Sequence, residues 1–118
     1  MIYAVILLAC MNYWIENWKG RSVGTKGAKM KKFREKILRI LKYKGERTQI
    51  LKALEEMAEL QSALLHAMNG TDSVSHVREE IADVCVMMEH LKIIFNLQDC
   101  EERAEAKLDR ELERIGLK

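Results

Sequence analysis

Apolar residues recur at spacings of three and four along the chain from Met30 onwards. In the first such stretch Phe33, Ile37 and Leu41 repeat between lysines and arginines, which is typical of a helix with one buried face. The same spacing continues in three further stretches, separated by short polar connections. The pattern therefore predicts four helices, over about residues 30–43, 46–68, 76–95 and 100–115.

The predicted helices are bounded by residue types that favour turns or caps. Gly45 follows the first helix, and Asn69-Gly70 follows the second. Asp99 and Glu102 have the spacing of a capping box at the start of the fourth helix. The chain contains no proline, and short connections favour antiparallel neighbours. We therefore predict an all-α fold, an antiparallel four-helix bundle-like domain.

The first 29 residues differ from the rest. Ile2 to Met11 is apolar, whereas Lys19 to Lys29 mixes glycine with basic and small polar residues, as a flexible linker does. The apolar run is far shorter than the roughly 20 residues that span a bilayer, so we do not expect a membrane protein. We divide the chain into residues 1–29, which are a native extension, an anchor or an over-extended start, and residues 30–118, which form the helical domain.

The length of the chain and its cysteines bear on its assembly and on its cellular compartment. A chain of 118 residues suffices for one domain, and a helical domain this small commonly buries its apolar faces against a partner, so we expect a homodimer or homotetramer. Cys10, Cys85 and Cys100 lie far apart, which fits a reducing cytosol better than a disulfide framework. Cys85 stands in an apolar run, and we expect it to be buried.

Acidic residues of the second and third predicted helices carry the most informative pattern. The second contains Glu55-Glu56-Met57-Ala58-Glu59, and the third contains Glu79-Glu80-Ile81-Ala82-Asp83. Residues three apart lie on the same side of a helix, so Glu56 and Glu59 share one face, and Glu80 and Asp83 repeat that geometry. Apolar neighbours flank both segments and bring the acids to the margin of the packed face.

Four carboxylates between two adjacent helices would repel one another and raise their pKa values, and a divalent cation would remove that repulsion. Ligands that are all oxygen favour a hard ion such as Mg²⁺ or Mn²⁺. A di-iron site is excluded because no Glu precedes a histidine by three residues. Spacing alone leaves the alternative that these acids form a solvated surface.

The acidic pattern resembles that of the MazG-like, all-α nucleoside triphosphate pyrophosphohydrolases. Here it is Glu55-Glu56-x-x-Glu59, twenty intervening residues, then Glu80-x-x-Asp83, and the ending over residues 107–115 is also similar. The resemblance covers about residues 31–115. It implies Mg²⁺-dependent hydrolysis of a (deoxy)nucleoside triphosphate to monophosphate and pyrophosphate in housecleaning of the nucleotide pool. The implied ligands are Glu56, Glu59, Glu80 and Asp83, with Mn²⁺ as a substitute ion.

Other residues would then complete the site. Glu55 is a candidate base that orients water, although it also fits an ordinary surface acid. Candidate substrate contacts are Lys107, Arg110 and Arg114 on one face of the fourth helix, which could instead pair with neighbouring acids, and Gln49 and Asn96 as residues that read a base.

Two competing functions remain. A phosphoribosyl-ATP pyrophosphohydrolase would cleave a similar bond. A helical module without activity would use the basic front half, since residues 1–54 carry thirteen Lys and Arg against three Asp and Glu. That module would leave the acids unexplained, and without interleaved aromatic residues we expect no stable nucleic-acid partner.

Overall fold

The structure is a computed structural model, and it describes residues 23–117. Within that range the chain forms helices and no strand, which confirms the all-α prediction. The helices are α1 (Val23–Lys44), α2 (Glu46–Met68), α3 (Val74–Ile94) and α4 (Cys100–Arg114). The chain divides into two compact units, Met1–Glu35 and Lys36–Lys118, and helices α2, α3 and α4 all belong to the second unit.

Helix α1 begins at Val23, earlier than the predicted start near Met30. The glycines at 24 and 27 therefore lie inside a helix, in a segment that we expected to be a linker. A glycine weakens a helix by only about 1 kcal/mol relative to alanine, and adding a residue to an existing helix is much easier than starting one. The predicted apolar segment, Ile2 to Met11, lies outside the described residues.

The connections between helices follow the predicted turn residues. Gly45 and Gly70 adopt positive φ angles of 86° and 74°, a backbone region in which side chains other than glycine's are strained. At the start of α3, the hydroxyl oxygen of Ser73 accepts a hydrogen bond from the His76 amide at 3.2 Å. These features end α1 and α2 and fold α3 back beside α2.

The predicted capping box at α4 is wrong. Asp99 occupies the cap position, but its side chain makes no capping hydrogen bond. Its carboxylate accepts a hydrogen bond from Arg103 Nε at 2.6 Å instead. The guanidinium one turn further along the helix competes for the carboxylate, and a charged donor forms the stronger bond.

The main helix–helix interface lies between α2 and α3. Ala53 and Ala63 of α2 and Met87 of α3 are buried, as is Ile37 of α1. The two alanines present little bulk on the interface face of α2. This apolar core is small, and α4 buries no residue at all.

A polar pair is also buried in this interface. Gln49 of α2 is 2 % exposed and His90 of α3 is fully buried. Gln49 Nε2 lies 3.1 Å from His90 Nε2, and His90 Nδ1 lies 3.0 Å from the carbonyl oxygen of Val86. Since that carbonyl can only accept, Nδ1 carries a proton, and a neutral imidazole then accepts from the Gln49 amide through Nε2. The pair therefore joins α2 to α3 through one buried polar contact.

The prediction that Cys85 is buried is wrong, because Cys85 is exposed. It stands two residues before the buried Met87, and two helical residues are about 200° apart around the axis. The apolar run of α3 thus covers more than one side of the helix. Among the described helices, none is both long and apolar enough to cross a membrane.

Replacing His90 with alanine should reduce the free energy of unfolding by about 1–3 kcal/mol, because the buried Gln49 amide loses its partner. Urea denaturation at fixed protein concentration measures the change. His66→Ala serves as the control, since His66 is exposed on α2 and its loss should change the free energy by less than about 0.5 kcal/mol. Equal losses in the two variants would contradict a stabilising role for the buried pair.

Candidate metal centre

Three carboxylates meet where α2 packs against α3. Glu56 and Glu59 lie one turn apart on α2, and Glu80 of α3 lies opposite them. One oxygen from each side chain can be chosen so that all three lie within 4.8 Å of one another. The predicted acidic faces of the two helices therefore do converge.

Two of these side chains are buried and incompletely bonded. Glu56 is 6 % exposed and Glu80 is 8 % exposed. In each carboxylate the Oε2 atom is buried and has no hydrogen-bond partner among the described residues. A buried oxygen without a partner is unfavourable, and more so when it carries charge. Gln49 Oε1 is also buried without a partner and belongs to the pair with His90, so the two carboxylate oxygens favour a cation only together with the convergence of Glu56, Glu59 and Glu80.

The other oxygen of each buried carboxylate is occupied. Lys52 Nζ donates to Glu56 Oε1 at 2.6 Å, and His76 Nε2 lies 2.9 Å from Glu80 Oε1. Each cationic partner stands four residues before its carboxylate on the same helix. The hydrogen bonds to Glu56 and to Glu55 raise the pKa of Lys52 above its usual value.

His76 lies between two carboxylates. Its Nδ1 atom contacts Asp72 Oδ2, while Nε2 faces Glu80. The hydrogen bond to Asp72, and then the one to Glu80, raises the pKa of His76. The same contact with His76 lowers the pKa of Asp72.

Glu59 is the exposed member of the three. The negative charge of Glu56 raises the pKa of Glu59, and desolvation and the charge of Glu80 act in the same direction. Repulsion inside the cluster is therefore partly uncompensated, even with Lys52 and His76 in place.

The donor set fits a hard divalent ion. All three donors are carboxylate oxygens, which suit Mg²⁺ and Mn²⁺, and no histidine or cysteine belongs to the set. Two oxygens bound to one magnesium ion at about 2.1 Å lie roughly 3 Å apart when adjacent and roughly 4 Å apart when opposite. The upper limit of 4.8 Å on the separations of the three oxygens is only slightly longer than those values.

Two predicted members of the site lie apart from this group. Asp83, one turn after Glu80, is exposed and does not belong to the three converging carboxylates. Glu55 is exposed and accepts a hydrogen bond from Lys52 at 3.3 Å. The roles of Asp83 as a fourth ligand and of Glu55 as a base stay predictions.

The predicted substrate contacts occupy varied positions. Lys107, Arg110 and Arg114 are exposed on α4, and Arg114 pairs with Glu111 of the same helix at 2.8 Å, as the alternative interpretation anticipated. Gln49 is buried against His90. Asn96 has a φ of 53° just after α3, so ending that helix already accounts for its presence. Their contacts with a substrate stay predictions.

Three further residues contact the buried carboxylates or their partners, and the predicted site did not include them: Lys52, Asp72 and His76. The spacing of residues in the sequence already indicated two of these contacts. Residues four apart face each other on a helix, so Lys52 was placed to reach Glu56 and His76 to reach Glu80. Such pairs are common on solvated helices, and only the burial of the two carboxylates gives these a place in a site.

Comparisons with family models, with curated proteins and with solved structures find no match to this chain.

Replacing Glu59 with glutamine should stabilise the protein at pH 7 when EDTA removes metal ions, because one repelled charge disappears. The folded-state pKa of Glu59 is raised, so its destabilising effect is present above that pKa and vanishes below the usual value of 4.5, where the group is protonated in both states. The advantage of the variant should therefore shrink as the pH falls towards 4.5. Thermal unfolding across this pH range measures it, with Glu105→Gln of exposed α4 as the control.

Magnesium should make the unchanged protein more stable than Glu59→Gln, which reverses the order of stability expected in EDTA. An ion at one hundred times its dissociation constant stabilises a folded protein by about 2.7 kcal/mol. The unchanged protein should gain that amount, whereas Glu59→Gln should gain less because it has lost a ligand. If Mg²⁺ raises the melting temperature of both proteins equally, Glu59 does not bind the ion.

Proposed function

We propose that the chain is a metal-dependent nucleoside triphosphate pyrophosphohydrolase. The observation that carries the metal part is the pair of buried, unpartnered oxygens on Glu56 and Glu80, beside Glu59. The nucleotide part rests on the resemblance of the acidic pattern to the MazG-like family. Membership of that family is part of the proposal, as is the cytosolic location suggested by the cysteines.

The cluster suits a substrate that arrives with its own cation. Three carboxylates repel a bare triphosphate, and the two partners Lys52 and His76 are each shared with a further carboxylate, Glu55 and Asp72. The chemistry that a bound Mg²⁺ would supply is positive charge against the negative charge that develops on the phosphoryl oxygens. Glu56, Glu59 and Glu80 would hold this ion, with Asp83 as the proposed fourth ligand.

The reaction consumes one water molecule. Its oxygen forms a bond to phosphorus as the bridging P–O bond between the α and β phosphates breaks, which gives a monophosphate and pyrophosphate. Glu55 is the group that we propose to take the proton from water; it is exposed and lies next to Glu56. Lys107, Arg110 and Arg114 would contact the phosphates, with Gln49 and Asn96 as proposed contacts to the base.

A second copy of the chain is the partner that we propose. Helix α4 buries no residue, yet Leu108 and Leu112 recur along one side of it, Ile115 follows it directly, and all three are exposed. An apolar stripe of this kind is unusual on a monomer. A homodimer or homotetramer would cover the stripe and enlarge the small core.

Glu80→Ala should abolish most of the pyrophosphate release. Loss of a ligand that positions the ion removes several kcal/mol of transition-state stabilisation, and about 3 kcal/mol corresponds to more than a hundredfold in kcat/KM. The measurement is pyrophosphate release from a panel of deoxynucleoside triphosphates with Mg²⁺, and Glu105→Gln is the control.

The same assay separates the alternatives. Activity on phosphoribosyl-ATP alone would favour the related pyrophosphohydrolase. If no nucleotide is hydrolysed and Glu80→Ala binds Mg²⁺ as the unchanged protein does, the proposed function is wrong.

Leu108→Lys combined with Leu112→Lys should reduce the molar mass in solution, because two charges would enter the proposed interface between copies. Ala106→Lys is the matched control, since residue 106 lies about 200° from Leu108 around the helix axis and is also exposed. Light scattering coupled to gel filtration measures the mass. The same mass for all three proteins would contradict a role for this stripe in assembly.

A further inference from the structure

A chain of polar contacts leads from the start of α3 into the candidate metal centre. The backbone N–H of Ser73 donates to Asp72 Oδ1 at 2.7 Å, and Asp72 Oδ2 contacts His76 Nδ1. His76 Nε2 then lies 2.9 Å from Glu80 Oε1. Ser73 also caps α3 through the His76 amide, so the turn and the imidazole are held together.

The imidazole of His76 has a carboxylate on each side. A ring N–H can donate to a carboxylate oxygen, so the contact of Nδ1 with Asp72 fixes the orientation of the ring while Nε2 faces Glu80.

The contact with His76 decides which oxygen of Glu80 is left for a ligand. Oε1 is held by the imidazole, and Oε2 is the buried atom without a partner. The carboxylate cannot rotate about its last bond without breaking the hydrogen bond to His76. Lys52 contacts Glu56 Oε1 in the same way. The ammonium group of Lys52 is at the end of a long, flexible side chain, whereas the ring of His76 is also held by Asp72.

We propose that His76, held by Asp72, is a positioning residue that directs Glu80 Oε2 towards a divalent cation shared with Glu56 and Glu59. This inference rests on the proposed function, because it assumes that the three carboxylates bind a metal. Partners of this kind, which hold a ligand in place without touching the metal, typically contribute 10- to 100-fold to metal affinity.

A purely electrostatic effect of His76 would have the opposite sign. If His76 merely competed with the metal for Glu80, its removal would leave that carboxylate free and tighten metal binding. If it positions Glu80, its removal weakens binding. The direction of the change therefore separates positioning from competition. A role limited to helix stability would alter the melting temperature and leave the affinity of the folded protein unchanged.

The experiment is a titration of the full chain with Mn²⁺, followed by calorimetry and by the electron paramagnetic resonance signal of free Mn²⁺. The variants are His76→Ala and His76→Gln, with His66→Ala as the control because it removes an exposed histidine from α2. We expect His76→Ala to bind Mn²⁺ about 10-fold or more weakly. His76→Gln should keep most of the affinity, because its amide N–H can still donate to Glu80 Oε1. His66→Ala should bind as the unchanged protein does.

Each other outcome overturns the inference in a distinguishable way. If the unchanged protein binds no Mn²⁺, the proposed function is wrong, and so is this inference. If it binds Mn²⁺ and His76→Ala binds equally well or more tightly, the positioning role alone is wrong. Equal weakening by alanine and glutamine would also show that the hydrogen bond to Glu80 is not the cause. Circular dichroism checks the fold, and should the alanine variant not fold, a tenfold loss in folded His76→Gln would contradict the inference.

Discussion

The interface between α2 and α3 buries two carboxylates and an imidazole where a small helical protein ordinarily places apolar side chains. Removing a carboxylate from water is unfavourable by several kcal/mol unless charges or hydrogen bonds replace the solvent. Lys52 and His76 supply that replacement on one oxygen each of Glu56 and Glu80. The opposite oxygens are left without partners, and the candidate site exists because of that incomplete compensation.

Other features of the fold depend on the same interface. Polar groups occupy part of it, so only a few apolar residues form the core. Gln49 and His90 join the two helices through one buried polar contact. Much apolar surface stays exposed, including that of α4. Assembly of several copies would supply the burial that a single chain lacks. Stability and function would then both depend on partners, one a cation and the other a second copy.

The sequence indicated which carboxylates converge where local geometry was sufficient. Glu56 and Glu59 share a face of α2 because they are three residues apart. The short connection after α2 was enough to bring Glu80 of α3 opposite that face. Spacing did not indicate burial. Asp83 repeats the spacing of Glu59 and is exposed outside the three converging carboxylates, because spacing along a helix does not specify how far the helix turns towards its neighbour.

The sequence by itself determined the class of the fold, the approximate limits of α2, α3 and α4, and the helix faces that carry acids. These properties depend on interactions between residues at most a few positions apart. Tertiary structure alone decided that Cys85 is exposed, that His90 is covered, and which oxygen of Glu80 has no partner. Those outcomes depend on the rotation of each helix about its axis and on side-chain rotamers at the interface. Long-range packing sets both, and the spacing of residues along one helix carries no information about either.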